Sequence, residues 1–409
     1  MIISGNNFID HDLRASFGQE AQECLLDIIL KSSIFPHLQR EGLQRQLAQY
    51  AAAGARRREV IVSEVAHQLL KEAITSSEAV QGKIFESFRA YDAFAVQSGK
   101  RYHYLHQFDV FLVGLAILFS NWDIHKAKKD YFGFKDQKNV FSTWTITSLI
   151  HDIGYPIESL SSGMGKLSDI LGHLGANNIS RTLCSEDWLR TIKRAIGDDI
   201  RALHRLNIRT PKGAQSVKVL LRDCIKNSLD ITDSEANEQQ RQLVTKRDHG
   251  YASALILCAL LGSVADYFVP DEENYNIITK ALGAVALHGI GTSLVRTRSL
   301  KHNPFAYLLF LCDNLQDWDR SFFHQNEYPS CCLSRYKAGA GFMEITYFFS
   351  HKRWQPEVKI KLVEYLRNKS IFLAELGAPR LFRSKLTIRL EDNCGTVDYS
   401  SLMPMTFNI

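Results

Sequence analysis

Along most of this chain apolar residues recur every three or four positions, the spacing of a helix with one buried face. From about residue 15 to 95 this period runs through segments rich in Ala, Gln, Glu, Leu and Arg, with no long β-rich run, and predicts a helical N-terminal region, 1–95. The basic run ARRREV (55–60) within it reads as a solvated helix face. Further on, 104–121 is strongly apolar and helical. Residues 142–153 predict a shorter helix that stops where Gly154 suits a left-handed C-terminal position and Pro156 cannot continue the ladder. His151 and Asp152 then fall in its last turn.

Residues 160–247 are more polar, with helical pieces such as DWLRTIKRAI and VKVLLRDCIKNSL and a loop-like close, TDSEANEQQ (232–240); they read as an insertion or lid within a unit spanning 96–330. Asp248 is a good N-cap for the apolar helix GYASALILCALLGSVADYF. A helix over 277–288 is expected to end at Gly289, and Asn303 and Pro304 supply the cap and first residue of FAYLLFLCDNLQDW. After about residue 335 the pattern turns strand-like in GFMEITYFF (341–349) and KLTIRLED (385–392), with a helix near 357–368 between them. The fold class is therefore mainly α, with a small α+β C-terminal unit at 331–409.

Composition narrows the function classes. The 409 residues carry 49 basic and 44 acidic side chains, a net charge of +5, too weak to indicate nucleic acid as a partner. The eight cysteines include no C-x-x-C, and several sit in apolar helical runs as small hydrophobes, which implies a reducing compartment. The N-terminal MIISGNNFIDHDLR lacks the basic start and apolar core of a signal peptide, and FLVGLAILF (111–119) is too short to span a bilayer. The expectation is a cytoplasmic protein with no membrane partner; a homo-oligomer is compatible with it.

The candidate chemistry starts at His151 and Asp152. A carboxylate in the last turn of a helix faces the negative end of the helix dipole and needs a positive group nearby. A divalent metal would serve, and so would a Lys or Arg cap. Asp313 borders an apolar stripe with Leu309, Cys312 and Leu315, where a buried charge again needs a partner. His106, His249 and His288 also sit on apolar helices; each alone reads more simply as a core or helix-end histidine.

Taken in order, His106, His151-Asp152, His249, His288 and Asp313 resemble the H…HD…H…H…D pattern of the HD-domain superfamily of metal-dependent phosphohydrolases. The resemblance spans about residues 100–320. RYHYLHQFDV resembles the first helix of that family, HDIG its core tetrapeptide, and LLFLCDNLQDWDR its final helix. It implies an HD-domain-like helical bundle in which His106, His151, Asp152 and Asp313 hold one metal, while His249 and His288 bind a second metal or the substrate phosphate. The ion would be Mn, Mg, Fe, Ni or Zn, one or two per site, and the activity hydrolysis of a phosphate ester by metal-activated water. His103, three residues before His106, is an alternative first ligand. The GYP after HDI is continuous with the HD pair, unlike the separate downstream motif of the cyclic-dinucleotide phosphodiesterases, so it is read as a helix stop.

Close behind, Glu158 is a candidate general base or hydrogen-bond partner of a ligand. Between His288 and the Asp313 helix, LVRTRSLKHNPF offers Arg296, Arg298 and Lys301 to a substrate phosphate, and Arg320 follows in DWDR. The implied partner is a phosphorylated small molecule, most simply a nucleotide. SSGMGK (161–166) lacks P-loop spacing, and no G-x-G-x-x-G, G-x-S-x-G or H-E-x-x-H occurs. Two rival readings remain: a non-catalytic nucleotide-sensing HD module that signals to a partner, and a helical interaction protein with ordinary core histidines.

Overall fold

The computed structural model describes residues 45–47, 49–50, 53, 55–74, 103–120, 132–134, 136–155, 217–246, 248–263, 272–289, 302–316, 330–339, 342–350, 385–392 and 407–408. The fold is mainly helical. Among the described residues these helices carry it: α1 (Ala55–Ile74), α2 (His103–Ser120), α3 (Gln137–Ile150), α4 (Val217–Leu229), α5 (Asp233–Lys246), α6 (His249–Ser263), α7 (Glu272–Leu287) and α8 (Pro304–Leu315). Two compact units divide the chain, one of Met1–Gln68, Tyr104–Gln137 and Phe310–Ile409, the other of Leu69–His103 and Lys138–Leu309. Among the described residues no helix is long and apolar enough to cross a membrane.

In the first unit, α1 buries Ile61, Val62, Val65 and Ala66 at helical spacing and leaves Val60 exposed. Its basic opening is only partly the solvated face expected. Arg57 is exposed, but Arg58 donates from Nε to the Tyr50 carbonyl at 3.2 Å and lies 5.4 Å over the Tyr50 ring. On α2 every residue from 105 to 115 is buried, so its polar members His106, Gln107 and Asp109 have been taken out of water. Tyr50 meets Phe108 edge-on, with ring centroids 5.1 Å apart.

The sheet also belongs to this unit, in the order β1-β2-β3-β4. β1 (Ser330–Gly339) and β2 (Phe342–Ser350) form an antiparallel hairpin with a register shift between Leu333 and Arg335. β3 (Lys385–Asp392) runs parallel to β2, and the short β4 (Phe407–Asn408) antiparallel to β3. The strand-like stretches 341–349 and 385–392 thus appear as β2 and β3. β1 was not anticipated, because SCCLSRYKAG has no clean alternation of apolar and polar residues. The helix expected near 357–368 lies outside the described residues, as do the remainder of 1–95 and all of 160–216.

In the second unit, α3 is buried from Asn139 to Ile150 despite its many hydroxyls. Thr143 and Ser148 donate back to the carbonyls of Asn139 and Trp144, each at 2.7 Å, which lets them sit in an apolar interior. α4 packs on α5, α6 and α7, and α6 packs on α7. The Asp248 cap holds as expected, its Oδ1 accepting from the Tyr251 N–H at 3.0 Å. Asn303 does precede Pro304 at the start of α8, but its side-chain amide donates to Ser228 Oγ and to the Lys280 carbonyl rather than acting as an acceptor at its own helix.

Two expectations are corrected here. TDSEANEQQ is not a loop: Thr232 caps α5, with the Glu235 N–H donating to Thr232 Oγ1 (3.3 Å) and the Thr232 N–H to Glu235 Oε2 (2.8 Å), a capping box that polarity alone concealed. Before it, Asp230 adopts φ 51°, and the Ile231 N–H returns to the Lys226 carbonyl at 3.2 Å, a left-handed stop that turns α4 into α5. The second correction concerns Gly154. α3 ends at Ile150 and His151–Gly154 form a turn beyond it, with the Ile153 N–H donating to Ile150 O (3.1 Å) and the Tyr155 N–H to Asp152 O (2.9 Å). Among the described glycines only Gly133 has positive φ, so Gly154 is there for space and not for handedness.

Candidate metal centre

Gly154 lets the turn after α3 press against the start of α6. A Cβ at this position would stand 2.4 Å from both the His249 carbonyl oxygen and the Ser253 nitrogen. The Gly154 N–H donates to Ser253 Oγ at 2.7 Å, which fixes the contact. Gly250 plays the same part on the other side of α6. A Cβ there would meet the Val285 carbonyl at 2.7 Å and His288 Nδ1 at 2.6 Å, so α6 and the end of α7 approach backbone to side chain. Gly289 closes α7 against the Asp248 carboxylate, whose Oδ2 would lie 2.0 Å from a Cβ. Three glycines therefore draw the turn after α3, the N-terminus of α6 and the C-terminus of α7 onto one spot.

Asp152, His151, His249 and His288 occupy that spot. His151 donates from Nδ1 to the Ser148 carbonyl at 2.7 Å, and His288 from Nδ1 to the Val285 carbonyl at 2.8 Å. A carbonyl oxygen only accepts, so both rings carry a proton on Nδ1, and in the neutral ring Nε2 keeps its lone pair. Both lone-pair nitrogens face a carboxylate: His151 Nε2 is 3.5 Å from Asp152 Oδ2, and His288 Nε2 is 3.3 Å from Asp152 Oδ1. His249 Nε2 joins them, 3.4 Å from Asp152 Oδ1 and 2.9 Å from His288 Nε2.

Acceptors crowded in this way repel one another unless a cation lies between them. One proton would satisfy a single pair and leave the other lone pairs facing the carboxylate. A divalent metal satisfies the set. At the usual metal–ligand distance of about 2.0–2.1 Å, ligands at tetrahedral or right angles lie about 2.9–3.4 Å apart, and the triangle of Asp152 Oδ1, His249 Nε2 and His288 Nε2 has edges of 3.4, 3.3 and 2.9 Å. The donor set fits a metal also in chemistry, with neutral imidazoles held through their far nitrogens by backbone carbonyls and one carboxylate for charge. His151, Asp152 and His288 form a buried group able to hold an ion.

Burial is uneven around the cluster. His151 is fully enclosed, whereas the His249 side chain is 24% exposed and Tyr155 beside it is half-buried, their rings edge-on at 5.3 Å. The open side of the centre is therefore the His249–Tyr155 side.

The first unit contains a His–Asp pair of its own. His106 Nε2 and Asp313 Oδ1 are 2.9 Å apart, joining α2 to α8. His106 is buried, and its Nδ1 donates to Gln316 Oε1 at 2.5 Å. Asp313 is a quarter exposed. His103 opens α2, but its side chain lies outside the described residues.

All six expected metal ligands are thus described: His151, Asp152, His249 and His288 converge within the second unit, and His106 meets Asp313 within the first. Glu158, Arg296, Arg298, Lys301 and Arg320 lie outside the described residues. His302, from the same basic segment, faces Asp230 at 3.4 Å. Sequence reasoning missed Gly250 and Ser253, which set the approach of α6, and also Tyr50, Asp109 and Gln316 around His106. The small pair Gly250 and Ser253, one turn apart at the start of an apolar helix, was the available signal for close packing. Comparison of the chain with family models, with curated proteins and with solved structures finds no match.

Proposed function

We propose that the protein is a metal-dependent phosphohydrolase that cleaves a phosphate ester of a nucleotide or related phosphorylated small molecule in the cytoplasm. The observation that carries this reading is the convergence of His151, His249 and His288 on Asp152, with the proton of two rings tied to backbone carbonyls. The order of the residues along the chain supports counting His106 and Asp313 with them, as the HD-superfamily resemblance implies. The proposal includes the fold: an HD-domain-like helical bundle with a helical N-terminal region and a small α+β C-terminal unit.

A divalent ion held by these residues would supply Lewis acidity, making water acidic near neutral pH and offsetting charge on phosphoryl oxygens. The chain's own groups do the rest. Ser148 and Val285 hold two imidazoles with Nε2 inward, Asp152 contributes negative charge, and the burial of His151 keeps bulk water from one side. Arg296, Arg298, Lys301 and Arg320 are assigned to substrate phosphate, and Glu158 to a base, by their sequence positions alone.

The test is purified protein with Mn²⁺, Mg²⁺ or Ni²⁺ and a panel of nucleotides, cyclic dinucleotides and short oligonucleotides. Metal-dependent turnover that disappears when His151→Ala and Asp152→Ala are combined supports the reading. No turnover of any substrate, or turnover that survives the double substitution, refutes it. Nucleotide binding without consumption would select the sensing module instead.

A further inference from the structure

We infer that Gln316 and Asp109 are positioning residues that decide which nitrogen of His106 carries its proton, with Tyr50 as their anchor. The inference deepens the metal reading, since it explains how His106 keeps a lone pair for a cation, but the proton assignment rests on hydrogen bonds alone. Asp109, on α2, is buried and accepts twice: Tyr50 Oη donates to Oδ1 at 2.7 Å, and Gln316 Nε2 donates to Oδ2 at 3.4 Å. A carboxylate offers no hydrogen, so the amide of Gln316 has one usable orientation, NH₂ toward Asp109 and C=O toward His106.

That orientation sets the ring. Gln316 Oε1 meets His106 Nδ1 at 2.5 Å and only accepts, so Nδ1 must be the donor. In the neutral ring the lone pair is then on Nε2, which faces Asp313 Oδ1 at 2.9 Å. Left to itself, a histidine this close to a carboxylate would place its proton on Nε2 and donate it to Asp313. The buried amide competes with that arrangement and reverses it. Gln316 is itself fixed, because its N–H donates to the Cys312 carbonyl at 2.9 Å and continues the last turn of α8, and its side chain is almost wholly enclosed. The chain Tyr50–Asp109–Gln316–His106 thus acts through His106 and needs no contact with substrate.

The test reads the proton directly and separates this inference from the metal reading. In the metal-free full chain, long-range ¹H–¹⁵N correlation spectra of labelled histidines, with His106 identified by the loss of its signals in His106→Asn, are expected to show Nδ1 protonated. Gln316→Met removes the acceptor; it should move the proton to Nε2 and weaken Mn²⁺ binding about tenfold to a hundredfold. The paired substitution Asp109→Asn with Gln316→Glu keeps an acceptor facing His106, and should restore both the Nδ1 proton and most of the affinity. A wild-type His106 protonated on Nε2 alone overturns the inference. So does a folded Gln316→Met that keeps the wild-type proton position, or a folded paired variant that matches Gln316→Met. A wild-type protein with the Nδ1 proton but no Mn²⁺ binding supports the positioning chain and removes the metal reading.

Discussion

His249 Nε2 and His288 Nε2 stand 2.9 Å apart, closer to each other than either is to the Asp152 oxygen that both face, at 3.4 and 3.3 Å. Two ring nitrogens at this distance either share a proton or flank a cation, and the Asp152 carboxylate facing both favours the cation. Ligand linkage follows. Saturating Mn²⁺ at a hundred times its Kd should stabilise the wild-type fold by about 2.7 kcal/mol. Thermal unfolding with and without the ion checks this, and an equal shift in Asp152→Ala would show that the ion binds elsewhere.

Gly154→Ala tests whether close approach, rather than the histidines alone, builds the centre. The new methyl would meet the His249 carbonyl and the Ser253 nitrogen at 2.4 Å, and both are backbone atoms that cannot swing aside. We expect a loss of about 1–3 kcal/mol in urea unfolding, the ordinary cost of overpacking, together with weaker Mn²⁺ binding. An unchanged midpoint and unchanged affinity would contradict the packing account.

The capping box offers a contrast away from the centre. Thr232→Ala removes the acceptor for the Glu235 N–H and should cost about 1 kcal/mol of stability, while leaving metal affinity where it was. A destabilisation accompanied by loss of Mn²⁺ binding would mean that α5 supports the site in a way the contacts do not indicate.

Helix positions and the identities of the clustered residues were legible in the sequence, because both depend on local pattern. The spacing of apolar residues forecast α2, α6 and α8 closely and α7 apart from its polar first five residues, and Asp248 announced its own cap. What failed were judgements that need three dimensions or a competing local rule. Gly154 was read through the handedness of a helix end, when the deciding fact is the backbone of α6, about a hundred residues further along the chain. TDSEANEQQ was read through polarity, although its T-x-x-E spacing carried the opposite message. The partnership of Tyr50 and Asp109 with Gln316 had no sequence signal, since the contacts on Asp109 span 59 and 207 residues.

Thiol chemistry should report the buried core. Burial, reinforced by the charge of Asp223, pushes the Cys224 thiol up to about 12, and burial drives Cys258 well above its ordinary value. A thiol whose pKa is raised by folding contributes stability below its unfolded pKa and loses it as pH climbs through the folded value, here from about 9 to about 12. At pH 8 both should resist an aromatic disulfide reagent in the native protein and react only on unfolding. Labelling of either residue in the native state at the rate of a free thiol would contradict their enclosure.

The central claim is that imidazoles and Asp152 converge on a divalent ion. Equilibrium dialysis against excess Mn²⁺ followed by elemental analysis tests it most directly, with folding of each sample verified by circular dichroism. The account predicts about one or two ions per wild-type chain and close to none in folded Asp152→Ala combined with His288→Ala. Wild-type protein that retains well below one ion per chain, or a double variant that retains as much as wild type, would contradict it.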